Sequence, residues 1–251
     1  MWTAQPDVPG GNGNYASIVF GSPQIWLFTN TDGTLNGDLQ RYPFDGTQFT
    51  APSDVLHITA PADKFIRTSA IVRGASGKLY GLLYTGDGYP TQAGYTPSAA
   101  TSTDDGATWT WFGSCSPYGR NQSSGMALTV NEGATPVFRA WIDGVGGKLR
   151  EMTSQDGWSW TDKGDMWPAS LSSDNPLWPS ACRTPTGTML AVANGFPLVN
   201  MRVLWQPNGG AWRVLETDSV IKYGPKGTAL AWDGAVIHAY NNSKHWTMPS
   251  P

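Results

Sequence analysis

Glutamate, lysine and cysteine are scarce in this chain. Three Glu and seven Lys in 251 residues leave few of the side chains that favour helix surfaces. Thirty Gly and nineteen Pro, about a fifth of all positions, interrupt helix interiors throughout. A helix-rich fold is excluded. Two cysteines, Cys115 and Cys182, supply at most one disulfide, and they either pair or serve as small buried hydrophobes. No apolar run approaches the roughly 18 residues of a spanning helix. The first residues, Met-Trp-Thr-Ala-Gln-Pro-Asp-Val-Pro-Gly-Gly, lack both the basic and the apolar part of a secretory leader. Excess positive charge is missing too. Sixteen Lys and Arg against 19 Asp and Glu give a net charge of −3, so nucleic acid and anionic membrane surfaces are not expected partners.

What is abundant is aromatic: 13 Trp, 9 Tyr and 8 Phe, residues that suit pleated, half-buried surfaces. An all-β chain follows, long enough to bury a sizeable core as one domain over residues 1–251. A short signature then recurs. Asp45-Gly46-Thr-Gln-Phe49, Asp105-Gly106-Ala-Thr-Trp109, Asp156-Gly157-Trp-Ser-Trp160 and Asn208-Gly209-Gly-Ala-Trp212 are spaced by 60, 51 and 52 residues. Asn242-Ser243-Lys-His-Trp246 is a weaker fifth copy. In each, Asp-Gly or Asn-Gly supplies the positive φ angles of a tight turn, and the aromatic that follows starts the next strand.

Upstream of each turn lie two or three β-type runs, so each unit has four strands, the pattern of a propeller blade. The sequence predicts a five-bladed β-propeller of four-stranded antiparallel blades, at about residues 15–58, 65–113, 122–168, 176–220 and 224–251. The last unit has room for only three strands. Residues 1–6 are expected to supply the fourth and close the ring, with Trp2 standing for the missing post-turn aromatic.

Ser102-Thr103-Asp104-Asp105-Gly106-Ala107-Thr108-Trp109 resembles the Asp-box, Ser-x-Asp-x-Gly-x-Thr-Trp, of sialidase-type β-propellers at every defined position. The copy around Asp156, Gly157 and Trp160 departs from it by Gln155 where the box has its aspartate. The resemblance implies structural turns between third and fourth strands, on the face away from substrate, built from Ser102, Asp104, Gly106 and Trp109. Five blades also look like the glycoside hydrolases and polysaccharide-acting enzymes whose active site is a central funnel.

Catalytic residues are harder to place. Sialidases use three arginines, a Tyr-Glu pair and an aspartate. Arg67 lies where the first arginine would fall, with Arg120 and Arg183 as companions, but Glu132, Glu151 and Glu216 fall in a hairpin, a third strand and a fourth strand. Glycosidases need two carboxylates across the scissile bond, and the expected starts of the innermost strands carry none. Asp7, Asp87, Asp143 and Asp174 lie in funnel-side loops as substitutes, although isolated loop aspartates more often form turns. His57, His238 and His245 lack zinc spacing, and Thr31–Asp38 lacks the terminal Glu of a calcium loop. No metal or cofactor is expected. Tyr89, Tyr95, Tyr118, Trp167 and Trp178, near polar side chains, form a plausible stacking surface for sugars.

This reading favours a non-catalytic module for glycan or cell-surface recognition or for structure, as in a phage tail, with an extracellular or virion-associated location and other virion proteins as further partners. A glycoside hydrolase or polysaccharide lyase acting in the funnel is one alternative, and a protein-binding propeller another. The expected ligand residues are Arg67, Trp178, Tyr89, Tyr118, Arg120 and Asp143.

Overall fold

A computed structural model of the chain describes residues 2–5, 14–21, 26–30, 39–44, 65–86, 96–115, 125–144, 148–171, 176–194, 200–216, 228–241 and 244–251. Strand β1 is Thr3–Gln5. Blade I then comprises β2 (Asn14–Val19), β3 (Trp26–Asn30) and β4 (Leu39–Pro43). Blade II is β5 (Phe65–Arg73), β6 (Leu79–Gly86), β7 (Thr96–Ser102) and β8 (Thr110–Ser114). Blade III is β9 (Met126–Asn131), β10 (Val137–Gly144), β11 (Lys148–Ser154) and β12 (Thr161–Asp165). Blade IV is β13 (Pro176–Arg183), β14 (Gly187–Asn194), β15 (Asn200–Pro207) and β16 (Arg213–Glu216). Blade V adds β17 (Ala229–Trp232), β18 (Val236–Asn241) and β19 (Lys244–Pro249). One 3₁₀ turn, Ala169–Leu171, follows blade III.

Each blade is an antiparallel sheet whose first strand is innermost, and the inner strands close a ring: β2 beside β5, β5 beside β9, β9 beside β13, β13 beside β17, and β17 beside β2. Blade V is completed by β1, which pairs with β19 at Thr3↔Thr247, Ala4↔Trp246 and Gln5↔His245. The expected propeller and its closure by the N-terminal strand are therefore present. Blade I shows three strands rather than four among the described residues; its turn at Asp45–Phe49 lies outside them.

The packing explains why blades of this sequence form a ring. Successive side chains of a strand face opposite sides of the sheet, and here both sides are buried. In blade IV, Leu190 and Val192 join the core shared with blade III, while Met189, Ala191 and Ala193 join the core shared with blade V. The run Met189–Ala193 is accordingly apolar without alternation, as a sheet buried on both faces requires. Five such clusters fill the interfaces I/II, II/III, III/IV, IV/V and V/I.

The tryptophan before each outer strand packs toward the preceding blade. Trp109 lies against the I/II core, Trp160 against II/III, Trp212 against III/IV, and Trp2, only 6% exposed, within IV/V. Trp2 thus does for β1 what Trp109 does for β8. Neighbouring inner strands are also bridged by serines: the Ile71 amide donates to Ser17 Oγ at 3.1 Å and the Leu230 amide to Ser180 Oγ at 2.7 Å. Cys115 and Cys182 are separate buried thiols in the II/III and IV/V cores, so the disulfide option is not taken. Burial pushes the Cys115 thiol up to about 11.

Candidate functional site

The ring has two unlike ends. At the end where the inner strands begin, here called the mouth, three of the five carry extra residues against their partners. Tyr15 and Ala16 face the single residue Thr29, Arg67 is inserted between Ile66↔Thr85 and Thr68↔Tyr84, and Trp178 with Pro179 faces Val192 alone. Such bulges bend a strand and re-aim side chains, and they concentrate beside active sites. Trp178 has φ +49°, a left-handed conformation that costs a non-glycine residue roughly 1–3 kcal/mol. Blade III leaves space for it: a Cβ on Gly125 would stand 2.7 Å from Trp178 Cα, so glycine permits the approach.

Polar residues also gather here by register. The second strands of four blades end on Asn30, Asp143-Gly144, Asn194 and Asn241, with Asn30 opposite Asn14 and Asn194 opposite Pro176. Asp143 sits one step beyond the pair Ile142↔Met126. Among the described residues it is the one carboxylate residue at this end of a first or second strand. Arg67, Asp143 and Trp178 thus come from blades II, III and IV, consecutive around the ring. Trp178 is half-buried, with part of its indole against the IV/V core. Tyr89, Tyr95, Tyr118, Arg120, Asp7, Asp87, Asp174, His57 and Thr31–Asp38 lie outside the described residues. Trp167, expected among the sugar-stacking aromatics, is instead structural: its indole N–H donates to the Leu171 carbonyl at 2.8 Å and its ring packs on the III/IV core.

At the other end, where the inner strands finish, lie the turns between third and fourth strands. Ser102 Oγ donates to Asp104 Oδ1 at 2.7 Å and accepts from the Gly106 amide at 2.8 Å. The Thr108 amide and hydroxyl donate to the two oxygens of Asp104 at 2.9 and 2.6 Å. The Trp109 indole N–H reaches the Gly106 carbonyl at 3.1 Å. Burial raises the Asp104 pKa, but the bonds from Thr108 and Ser102 outweigh it and the net displacement is downward.

The second turn corrects the alignment made from sequence. Asp156 takes the position that Asp104 holds in the first turn, in a loop one residue shorter: Ser154 Oγ donates to Asp156 Oδ1 at 2.8 Å, and the Trp160 N–H reaches the Gly157 carbonyl at 3.2 Å. Amide donors of Ser159 and Trp158 hold Asp156 well below the usual carboxylate range.

Two of the glutamates hold the fold together. Glu132 accepts from the Ser76 amide, the Ser76 hydroxyl and Tyr80 Oη at 2.6, 2.8 and 2.6 Å, clamping blade III to blade II. Burial and Glu132 push the Tyr80 phenol up to about 12. Glu151 pairs with Arg139 at 2.7 Å. Arg183, expected beside Arg67, ends β13 and so lies on the order of 15 Å along the strand from Trp178. It belongs to the far end.

Sequence reasoning missed one cluster altogether. His238 Nδ1 and His245 Nε2 are 2.9 Å apart, and His238 Nε2 meets Asp233 Oδ2 at 2.9 Å. The rings stack at 5.1 Å, and Phe20 of blade I touches His238. Burial, then His238, pushes His245 down to about 4. The signal was available in the strand pairing: the register Asn241↔Lys244 sets His245 opposite Tyr240. No group of His, Cys, Asp and Glu among the described residues could hold a metal ion.

No protein-family model matches the sequence, and a search of curated protein sequences finds no match. Solved structures do match along the whole chain. The chain is similar to a family GH43 β-1,3-galactosidase solved with galactodeoxynojirimycin (14% identity, TM-score 0.64, 98% of this chain and 93% of that one). It is similar to an endo-arabinase from Bacteroides thetaiotaomicron VPI-5482 (12%, TM-score 0.67, 99% and 98%). It is similar to an α-L-arabinanase from Penicillium chrysogenum complexed with arabinobiose (12%, TM-score 0.58, 95% and 80%). At these identities the likeness shows the fold alone, an all-β propeller. It overturns the expectation of a non-catalytic recognition module, because these end-to-end neighbours are glycosidases rather than virion or binding proteins.

Proposed function

We propose that the chain is a glycoside hydrolase working at the mouth of the central ring. One observation carries this: three inner strands are bulged at the same end, and that end presents Arg67, Asp143 and Trp178 from successive blades. Regular pairing would be cheaper, so three separate departures at one rim support a site. In this reading Asp143 is one of the two carboxylates that protonate the leaving oxygen or activate the attacking group. Asp7, Asp87 and Asp174 are the sequence candidates for the other. Trp178 stacks on a sugar ring, Arg67 addresses an anionic or hydroxyl-rich group, and Asn14, Asn30, Asn194 and Asn241 supply hydrogen bonds to hydroxyls. The Asp-box turns serve the fold.

The test is release of reducing sugar from arabinan, galactan and fructan, with binding measured on the same polymers. Turnover by the wild type is expected, and Asp143→Asn should lower kcat by about a hundredfold or more at unchanged melting temperature. Binding without turnover by the wild type across these polymers would overturn the proposal.

A further inference from the structure

At the end opposite the mouth the central channel opens into a cavity of about 380 Å³, lined from all five inner strands. Its walls are apolar at Val19, Val72 and Trp232 and polar at Asn131, Arg73 and Arg183. No carboxylate lines it among the described residues. On its other side Arg183 also borders a second cavity, with Arg139, Gln206 and Asn208, again with no acid in the lining.

Both arginines are incompletely satisfied. The Arg73 side chain is 8% exposed; Nη1 meets Asp105 Oδ1 at 2.6 Å and the Gly77 carbonyl at 3.1 Å. Its Nε and Nη2 are buried without a hydrogen-bond partner. The chain is shaped around this group, since a Cβ on Gly21 would come within 2.7 Å of Nε. Arg183 has no hydrogen bond or ion pair among the described residues, and its charged neighbour is another cation, Arg139, already paired to Glu151. Burial and Arg139 both disfavour its charged form. The two buried, unpartnered donors of Arg73 carry a penalty that an oxyanion would remove, and Arg183 sets a half-exposed guanidinium on the same wall. The planar guanidinium fork suits carboxylate and phosphate, and the volume falls in the range of small-molecule sites.

We propose that this cavity is a second ligand site, separate from the mouth, that takes a small oxyanion, the carboxylate of an acidic sugar or a phosphate, on the guanidinium of Arg183 with Arg73 lining the same cavity. The site is independent of the hydrolase reading, because neither arginine belongs to the mouth.

Calorimetric titration of the full chain with sodium glucuronate, inorganic phosphate and glucose tests it. Saturable binding of glucuronate or phosphate, and none of glucose, is expected; the tighter anion identifies the source. Arg183→Gln should weaken that binding by about tenfold or more, while Asp143→Asn leaves it intact. Since Gln relieves the repulsion from Arg139, the variant should melt no lower than wild type, whereas a purely structural arginine would lower the midpoint. If Arg183→Gln does not fold, Arg183→Lys keeps the charge, loses the fork, and should still bind more weakly. No binding of either anion by wild type, equal binding by the folded Arg183 variant, or equal binding of glucose would each overturn the proposal.

Discussion

The two ends of the inner strands follow different rules. At the mouth, register is broken in three blades and a tryptophan is held at positive φ. At the far end the chain is knitted by repeated side-chain bonds: the Ser102–Trp109 turn, its shorter relative at Ser154–Trp160, and the Glu132 clamp. Side-chain hydrogen bonds recur in the turns between third and fourth strands at the far end, where Asp105 also holds a positive φ of 57°. The lesson is that turns and bulged inner strands do different jobs, so substitutions in the far-end turns should act on stability and substitutions at the mouth on the proposed hydrolysis.

The largest effect should come from the ring's fastening. Trp2→Ala empties a 6%-exposed position in the IV/V core and should cost about 3–5 kcal/mol, read as a fall in the denaturant midpoint with catalysis per folded molecule intact. A midpoint within error of wild type would mean that β1 is dispensable to the ring. Next, Asp105→Ala strips the buried Arg73 side chain of its half-buried carboxylate partner and should cost about 3 kcal/mol. Asp104→Ala removes only turn bonds and should cost about 1–2 kcal/mol. If instead Asp104→Ala impaired turnover at normal stability, the assignment of the two ends would be reversed.

The smallest effect concerns pH. His245 in the folded chain titrates near 4, below its unfolded value of about 6.5. Between those values the unfolded chain binds a proton that the folded chain does not, so stability is full above about 6.5 and declines as the pH falls toward 4. Thermal midpoints measured from pH 7 to pH 4.5 should fall, and His245→Gln should flatten the slope. A slope unchanged by that variant would place the acid sensitivity in other groups.

How far the sequence disclosed this molecule depended on whether a feature is local. The Asp-Gly turns and their tryptophans are local in the chain, and they gave the blade repeat, the fold class and the role of Trp2. Even the shortened turn at Asp156 was visible, though its alignment was off by one residue because only the Ser154 bond fixes which aspartate acts. Bulges at Arg67 and Trp178 are properties of a pair of strands, so proline and arginine near a strand start hinted at the place but not at the distortion. Arg183 went to the wrong end because its distance from Trp178 depends on how far β13 continues. The His238–His245 pair needed the register between β18 and β19.

The fastening of β1 to β19 also sets a schedule for synthesis. Gln5 hydrogen-bonds Thr247 from 242 residues away, so β1 is synthesised well before the strand it pairs with. At about 5–20 residues per second that delay is on the order of ten to fifty seconds. Throughout it β19's place is empty, and Trp2, whose slot lies between blades IV and V, has nowhere to go. A nascent ring of this design keeps an open strand edge and an uncovered indole until its final blade emerges, so its yield should depend on translation speed and on whatever shields that first strand.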